Sequence, residues 1–433
     1  MSNLFLKGGT TALMMVLGGF AWSQPAGGVQ FSGIDVRGNT RLSDAEVQAL
    51  CGLDVSRTYQ SADLKAAMQC LGESEEYKAV SFDTEGRALI VNVEEAPQYT
   101  GLLDVSVTAD TDRGLSGRIF IEDRDLFDQG LRASGELEVS REEKTLDLGL
   151  VDPNLFGWGY EGGIALSYGQ YAYDEATYKF DRLTAAPFIR VPLSENQALT
   201  FRAGVQLDEV YDINPATSPI LLSESGKRTS PFVSLQYTGL FEPNTAWPTR
   251  IGVDASQTFL GLGEDQLSSI TKARVRMLSE VVPDRLSFAL ELEGGHIESL
   301  DGEATRVVDR FFLGGSKFRG FAPRGLGPID GGHFLGGNTY AVIRAETNSP
   351  ITTIAGAAIS GGVFTDIGAV WGLNNTAGFT NPVDDDAQLR ASVGLSVTIQ
   401  IGEVPLNLYY AHPLEREVQD DTQSFGLAIS TKF

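Results

Sequence analysis

LRASVGLSVTIQ, residues 389–400, alternates apolar with polar side chains along its whole length. Successive side chains of a β-strand point to opposite faces, so this alternation predicts a strand with one apolar and one polar face. The same period of two recurs at residues 199–207, 286–293 and 424–433. These stretches predict a chain that is mainly β.

Similar stretches continue toward the amino terminus as far as residue 100, and about sixteen candidate strands can be counted. Residues 100–433 then supply about 21 residues per strand, which matches a membrane-spanning strand plus a turn or loop. An even number of strands returns both ends of a barrel wall to the same side of the membrane. The predicted strands lie at residues 102–109, 114–122, 130–139, 145–151, 160–171, 178–192, 197–209, 229–239, 251–260, 271–281, 285–297, 338–346, 358–371, 388–400, 406–411 and 423–433.

Alternation alone does not separate a membrane barrel from a soluble β-sandwich, because the strands of both have two different faces. The polar face of the candidate strands carries charges, among them Arg274, Arg276, Glu291 and Glu293, which suits a water-filled lumen. The chain also ends on a strand with an aromatic residue, Phe433, and that strand is free to close a barrel. We therefore predict a transmembrane antiparallel β-barrel over residues 100–433.

The composition narrows the class of partner. The chain has 33 basic and 57 acidic residues, a formal net charge of −24, so it would repel phosphate backbones and no nucleic acid partner is expected. No apolar run of about 18 residues follows the first two dozen positions, which argues against a helical membrane protein. Forty-nine glycines are interspersed along an ordered chain rich in Phe and Tyr.

Residues 1–23 are typical of a secretory signal peptide, with Lys7 before an apolar stretch and small residues before a cleavage point after Ser23. An uncleaved membrane anchor is the alternative, but the apolar stretch is too short to span a bilayer. Export would bring Cys51 and Cys70 into an oxidising compartment, where they either form a disulfide or sit apart at distant ends of two helices.

Residues 30–97 carry mixed signals that predict a small separate domain. A strand, two helices and two further strands follow one another in the order β-α-α-β-β, and Ser43 is predicted to cap the first helix. This order resembles that of a POTRA (polypeptide-transport-associated) domain. Any other small α/β module is the alternative.

One connection is much longer than the others. Residues 302–337 form an expected loop, and nine glycines lie between residues 311 and 337. A loop of this length usually has a function. Its Phe318-Arg319-Gly320-Phe321 is similar to the VRGF/Y signature of the BamA/TamA superfamily of outer-membrane assembly and translocation barrels, although Phe318 stands where that signature has Val. The resemblance implies that the loop folds back into the barrel.

A second motif agrees with this resemblance. Gly362, Phe364, Asp366 and Gly368 match the superfamily's G-x-F-x-D-x-G strand motif and, by alternation, share one face. The resemblance assigns Asp366 to Arg319. A guanidinium inside a barrel needs a carboxylate or several carbonyl groups, and a two-pronged pairing would fix the loop tip to the wall. A solvated surface arginine is the alternative.

No catalytic or metal-binding constellation is evident. Ser269 and Lys272 fit S-x-x-K, but that motif needs a helical turn and companion motifs. His296, His333 and His412 are too scattered to form a metal site. We therefore expect neither enzymatic activity nor a cofactor.

The resemblance implies an assembly factor in the bacterial outer membrane, with the POTRA-like domain in the periplasm. Its partners would be unfolded β-barrel clients, outer-membrane lipid, and periplasmic chaperones or accessory lipoproteins. The first and last strands would form a weak seam for a client strand. In the last strand Phe425, Gly426 and Phe433 are the residues of interest, and Gly426 is expected to let the strand bend away.

Two other functions are open. A two-partner secretion transporter would pass a protein through the lumen, but that branch usually has two POTRA domains and a plug helix, whereas only residues 24–29 separate the cleavage point from the first strand. A passive channel is the other alternative, and a folded-in loop argues against an open pore.

Overall fold

The computed structural model describes residues 28–39, 42–74, 77–95, 101–127, 129–264, 266–401 and 404–429. The predicted signal peptide and Phe433 lie outside the described residues. The chain divides into two compact units, residues 1–99 and residues 100–433. None of the described helices is both long and apolar enough to cross a membrane.

The amino-terminal unit is a three-stranded sheet with two helices. In chain order its elements are β1 (Gly33–Arg37), α1 (Asp44–Leu50), α2 (Ser61–Glu73), β2 (Tyr77–Glu85) and β3 (Ala88–Glu95). The central strand β3 runs parallel to β1 and antiparallel to β2, so β1 and β2 are the sheet edges. Two short strands, Val29–Gln30 and Thr58–Tyr59, pair outside this sheet and are too short for a sequence pattern to predict.

The core of this unit lies between the sheet and the helices. Val47 of α1, Leu71 of α2 and Val91 of β3 are fully buried together. Cys51, just after α1, is joined by a disulfide to Cys70 of α2, with an S–S distance of 2.02 Å. The two helices are therefore linked both by apolar packing and by a covalent bond.

The second unit is a single antiparallel sheet of sixteen strands that closes almost completely into a barrel, which confirms the predicted fold class and strand number. Neighbouring strands pair in chain order throughout. They are β4 (Gly101–Asp110), β5 (Gly114–Leu126), β6 (Leu131–Val139), β7 (Glu143–Asp152), β8 (Glu161–Tyr171), β9 (Lys179–Ser194), β10 (Gln197–Tyr211), β11 (Gly226–Phe241), β12 (Thr249–Leu260), β13 (Ser268–Val282), β14 (Leu286–Ser299), β15 (Thr339–Ile354), β16 (Ala357–Trp371), β17 (Arg390–Ile401), β18 (Val404–Glu415) and β19 (Phe425–Ile429).

The two faces of the wall differ as the alternation predicts. The charges noted on β13 and β14 pair with one another on one face, with Arg274 at 2.9 Å from Glu293 and Arg276 at 3.1 Å from Glu291. The other face exposes apolar side chains, such as Val105 on β4. A wall of this kind presents apolar side chains to lipid and polar ones to a wet interior.

The connections contain a few short elements. The long segment between β14 and β15 includes the two-residue strands Gly320–Phe321, Ile329–Asp330 and His333–Phe334, and one short helix, α3 (Pro219–Ser223), follows β10. The strand predicted at residues 423–433 begins at Phe425 instead. Thr422–Gln423 pairs with Gly320–Phe321 because the long loop lies close enough to compete with the wall for these backbone groups.

Candidate functional site: the in-folded loop and the barrel seam

The side chain of Arg319 lies at the centre of the loop and is almost completely buried. Its Nε and Nη2 donate to the two carboxylate oxygens of Asp366 over 2.9 and 2.7 Å, and its backbone N–H donates to the same carboxylate over 3.0 Å. Asp366 is fully buried on β16. This two-pronged geometry fixes the position and orientation of the loop relative to the wall.

Three further groups surround Arg319. Phe364 belongs to the strand motif noted in the sequence, whereas Glu346 and Ser392 were not predicted. The Arg319 Nη1 donates to Glu346 over 2.7 Å, its guanidinium carbon lies 3.4 Å from the centre of the Phe364 ring, and its carbonyl accepts from the Ser392 hydroxyl over 2.6 Å. Glu346 on β15 stands directly opposite Phe364 on β16, so alternation together with strand register would have found it. We call Arg319, Asp366, Glu346, Phe364 and Ser392 the loop anchor.

The neighbouring signature residues fill the space beneath the loop. Phe318 and Phe321 are fully buried, with ring centres 5.2 Å apart. Gly320 has a φ of +98°, and a Cβ there would come within 3.0 Å of the Ser392 Cβ. Gly368 faces Phe318, whose ring would be 3.0 Å from an added Cβ. The glycines in both motifs thus allow the loop and the wall to approach closely.

Gly362 lies near the other end of the same strand motif. A Cβ at this position would be 2.5 Å from the Ser396 hydroxyl oxygen and 3.0 Å from a carboxylate oxygen of Glu346. The Ser396 hydroxyl also donates to Glu346 over 2.5 Å. Gly362 therefore leaves room for the hydrogen-bonded pair that supports the loop anchor.

The barrel seam lies between β4 and β19. β4 pairs with β5 over its whole length, and β19 pairs with β18 over five residues, but no ladder pair links β4 to β19 within the described strands. The two edges meet at Thr111, just after β4, whose N–H donates to the Leu427 carbonyl over 3.3 Å and whose hydroxyl accepts from the Leu427 N–H over 3.1 Å.

The loop contacts the chain on both sides of this seam. The Ser316 N–H donates to Asp112, which follows β4, over 2.8 Å. On the other side, the Ala322 N–H donates to the Asp421 carbonyl over 2.9 Å, and the Asp421 N–H donates to the Gly325 carbonyl over 2.8 Å. The loop therefore bridges the segments that flank the first and last barrel strands.

A second buried ion pair holds the segment before the last strand. Arg390 at the start of β17 donates from Nε and Nη2 to Asp420, both over 2.9 Å, and its Nη1 donates to the Gln388 carbonyl over 2.8 Å. Both side chains are buried. The sequence analysis did not predict this pair, because the two residues lie in different segments and no motif marks them.

The residues of interest in the last strand have different surroundings. Phe425 is 70% exposed on the outer face, with its ring centre 5.0 Å from that of Tyr410. A Cβ on Gly426 would lie 2.1 Å from the Tyr409 ring, so this glycine makes room for that ring. Gly426 therefore has a packing role in the structure, whereas the sequence led us to expect that it lets the strand bend away.

Metal binding is the remaining chemistry to consider at this site. No group of three or more His, Cys, Asp or Glu side chains in the described ranges is arranged to hold a metal ion.

Comparison with protein families gives a match over most of the barrel. A family model described as the Omp85 superfamily domain matches residues 125–433. Two curated relatives are similar, both outer membrane protein assembly factors BamA. The one from Neorickettsia risticii is 23% identical over 83% of this chain and 49% of its own length, and the one from Neisseria meningitidis is 25% identical over 95% and 57%. The chain spans about half the length of these relatives.

A solved structure shows the same fold. The crystal structure of BamA from Haemophilus ducreyi lacking POTRA domains 1–3 aligns with 92% of this chain and 84% of its own, with a TM-score of 0.69 and 18% sequence identity. At this level of identity the likeness concerns the fold alone.

Proposed function

The chain belongs to the Omp85 superfamily, and from this premise we propose that it assists β-barrel client proteins to insert and fold in the bacterial outer membrane. A barrel of this superfamily is an outer-membrane protein. The similarity to two BamA assembly factors supports the proposal. The observation that carries the proposal is the seam. There β4 pairs with β5 along one edge and has no ladder partner along its other edge among the described strands.

The chemistry of the bilayer explains why such an edge suits a client. Lipid cannot form hydrogen bonds with backbone N–H and C=O groups, and each unsatisfied group in the hydrocarbon region costs several kcal/mol. A client strand that pairs with β4 satisfies its own backbone groups while its apolar side chains enter lipid. The free energy of insertion then comes from burial of the client, with no cofactor or nucleotide.

The loop anchor would control the geometry of this edge. It fixes the loop to β16 through Asp366, and the loop contacts the segments on both sides of the seam through Asp112 and Asp421. An anchored loop therefore holds β19 in register with β18, while β4 keeps one edge without a ladder partner among the described strands. We infer that the ion pair positions the seam and is not itself a client-binding group.

The amino-terminal unit would receive the client first. Its order of strand, helix, helix, strand and strand supports identification as a POTRA-like periplasmic domain, and its edge strands β1 and β2 offer backbone groups for β-strand addition. Periplasmic chaperones or accessory lipoproteins would deliver the client to this edge.

Depletion of the protein in cells tests the proposal. The outer membrane and the culture medium are then compared by quantitative proteomics with those of undepleted cells. Loss of many β-barrel proteins from the outer membrane supports assembly. Loss of one secreted protein from the medium, with outer-membrane barrels unchanged, contradicts assembly and supports the two-partner secretion alternative.

A further inference from the structure

A cavity of about 620 Å³ lies inside the barrel between the in-folded loop and the wall. Loop residues from Val307 to Arg324 form one side, and inward-facing residues of β8 to β15 form the other. This volume is within the range of small-molecule binding sites, about 300–1,000 Å³. The cavity is separate from the loop anchor and from the seam.

The charge of the cavity is opposite to that of the protein. Its lining contains seven basic and two acidic residues, an excess of five positive charges, whereas the whole chain has a net charge of −24. Two of the basic residues are neutralised locally, since Arg182 pairs with Asp309 over 2.9 Å and Arg274 pairs with Glu293 over 2.9 Å. The pairing accounts for both lining carboxylates.

Four other lining cations form no ion pair with a carboxylate among the described residues: Arg202, Lys272, Lys317 and Arg324. Arg202 donates to the Gln236 side chain over 2.7 Å. Lys272 and Lys317 are exposed to the interior of the barrel. Lys272 lies 5.6 Å from the centre of the Phe311 ring. These two side chains are therefore accessible to a soluble ion.

Arg324 is held by aromatic rings instead of an acid. Its guanidinium carbon lies 3.4 Å from the centre of the Phe312 ring and 4.8 Å from that of Tyr173, and it donates to the Tyr178 hydroxyl. Nearby, the buried Arg310 pairs with Glu224, yet its Nε has no hydrogen-bond partner within the described part of the chain. Aromatic rings hold the Arg324 guanidinium without cancelling its charge. The Arg310 Nε is a donor left open to an acceptor.

We propose that this cavity binds an anion that carries one or more phosphate groups. Like charges confined in a protein interior repel one another more strongly than in water, and a multiply charged anion removes that repulsion. A phosphate group has about two negative charges and three acceptor oxygens, so it can accept from several separate lysine and arginine donors at once. The phosphate could belong to a free anion or to a lipid headgroup.

Isothermal titration calorimetry of the full chain in neutral-detergent micelles tests this proposal, with inorganic pyrophosphate as the probe. We expect saturable binding of one pyrophosphate per chain. The double variant Lys272→Gln/Lys317→Gln should bind about tenfold or more weakly, a loss of about 1.4 kcal/mol or more, because two charged donors to the anion are removed. Lys227→Gln, a control outside the lining that changes an exposed lysine, should bind as the parent does.

The charge-preserving double variant Lys272→Arg/Lys317→Arg is the control that separates loss of charge from misfolding. It should bind pyrophosphate within about threefold of the parent if the positive charge determines the affinity. Absence of saturable binding by the parent protein, or equal binding by the glutamine variant, would overturn the proposal. Competition in the same micelles distinguishes the two sources. Displacement of bound pyrophosphate by a water-soluble short-chain anionic phospholipid identifies a lipid headgroup as the occupant, and no displacement identifies a free anion.

Discussion

Arg319 carries its charge in a buried position between the loop and the barrel wall, where an unpaired cation is unfavourable. Two carboxylates, one aromatic ring and a serine hydroxyl surround the residue. In such a site the loss of one partner leaves the other charge buried and unpaired, which is more unfavourable than the loss of a surface ion pair. The loop anchor should therefore be sensitive to single substitutions.

We expect Arg319→Ala and Asp366→Ala each to destabilise the anchored loop by about 3–5 kcal/mol, the effect of breaking a buried ion pair. The loop should then be cleaved by added protease in detergent-solubilised protein, while the barrel wall stays resistant. Protein assembly in cells should decrease in parallel. Lys227→Gln is a suitable control because it alters an exposed cation.

The charge-swapped variant Arg319→Asp/Asp366→Arg should recover part of the protease protection. Recovery should be partial because Glu346 would then face an aspartate instead of an arginine. Full activity and unchanged loop protection in both alanine variants would show that the ion pair does not hold the loop.

Glu46 in the amino-terminal unit gives a pH-dependent prediction at the same scale. It accepts from the Ser43 hydroxyl over 2.7 Å and from the Ser43 N–H over 2.8 Å, and these bonds lower the pKa of Glu46 below its ordinary value of 4.5. A carboxyl with a lowered pKa in the folded state stabilises that state above the ordinary pKa, and the contribution is lost as the pH falls through the folded value.

Hydrogen exchange of the α1 amides measures this contribution. At pH 7 the variant Glu46→Gln should show less protection than the parent, and the difference should shrink as the pH is lowered below about 4.5. Asp83→Asn, on β2 of the same unit, serves as a control. A difference that stays constant from pH 7 to pH 3 would contradict a role for the Glu46 charge.

The sequence analysis named Arg319 and Asp366 but missed Glu346 and Ser392. The two motifs are local patterns, and a carboxylate facing a guanidinium can be expected on general chemical grounds. Glu346 and Ser392 belong to other strands, and their proximity depends on strand register, which alternation does not provide. The contacts of a single residue could thus be inferred from the sequence only for residues that lie in a recognised motif.

At the scale of elements, the long loop and the last strand form one structure. The loop pairs with Thr422–Gln423, which precede β19, and Arg390 holds Asp420 in the same segment. The segment before β19 is therefore fixed on both sides, by the loop and by β17. This arrangement explains why β19 starts at Phe425, two residues later than the alternation predicted.

Asp420→Asn should loosen this segment, because it leaves the buried Arg390 guanidinium without a carboxylate. We expect a loss of about 3 kcal/mol in local stability and faster proteolysis within residues 416–424. Limited proteolysis followed by mass spectrometry identifies the cleavage sites. Glu264→Gln, in the exposed turn between β12 and β13, should leave the digestion pattern unchanged, and equal patterns for both variants would contradict the role of the pair.

The length and position of the loop could be predicted from the sequence, since glycine content and a break in alternation mark it. Its contacts with Asp112 and Asp421 could not be predicted. These residues are distant in the chain from the loop, and they meet it only because the sheet closes almost completely. Contacts that form only when the sheet closes into a barrel leave no pattern in the local amino-acid sequence.

At the scale of the whole molecule, the apolar outer face of the wall determines the environment that the protein needs. Leu103, Val105 and Val107 are each more than 60% exposed on β4, and the same alternation runs through the other strands. Such a surface is far larger than the apolar patches of soluble monomers. The number of strands was predicted because each strand carries its own alternation.

The purified mature chain should therefore require detergent or lipid to remain monodisperse. Size-exclusion chromatography with light scattering, before and after removal of detergent, measures this directly. Aggregation on removal is expected. A monomer that stays in solution without detergent would contradict the assignment of the outer face to lipid.

In-cell photocrosslinking at the seam tests the central claim that clients pair with the β4 edge. A photoreactive phenylalanine analogue replaces Val105 in the middle of β4, and a matched variant carries it in place of Leu235, which is also exposed but lies on β11 between two paired strands. We predict adducts with newly made outer-membrane β-barrel proteins at Val105 and none at Leu235. Equal capture at both positions, or none at Val105 in cells that still assemble their barrels, would contradict the account.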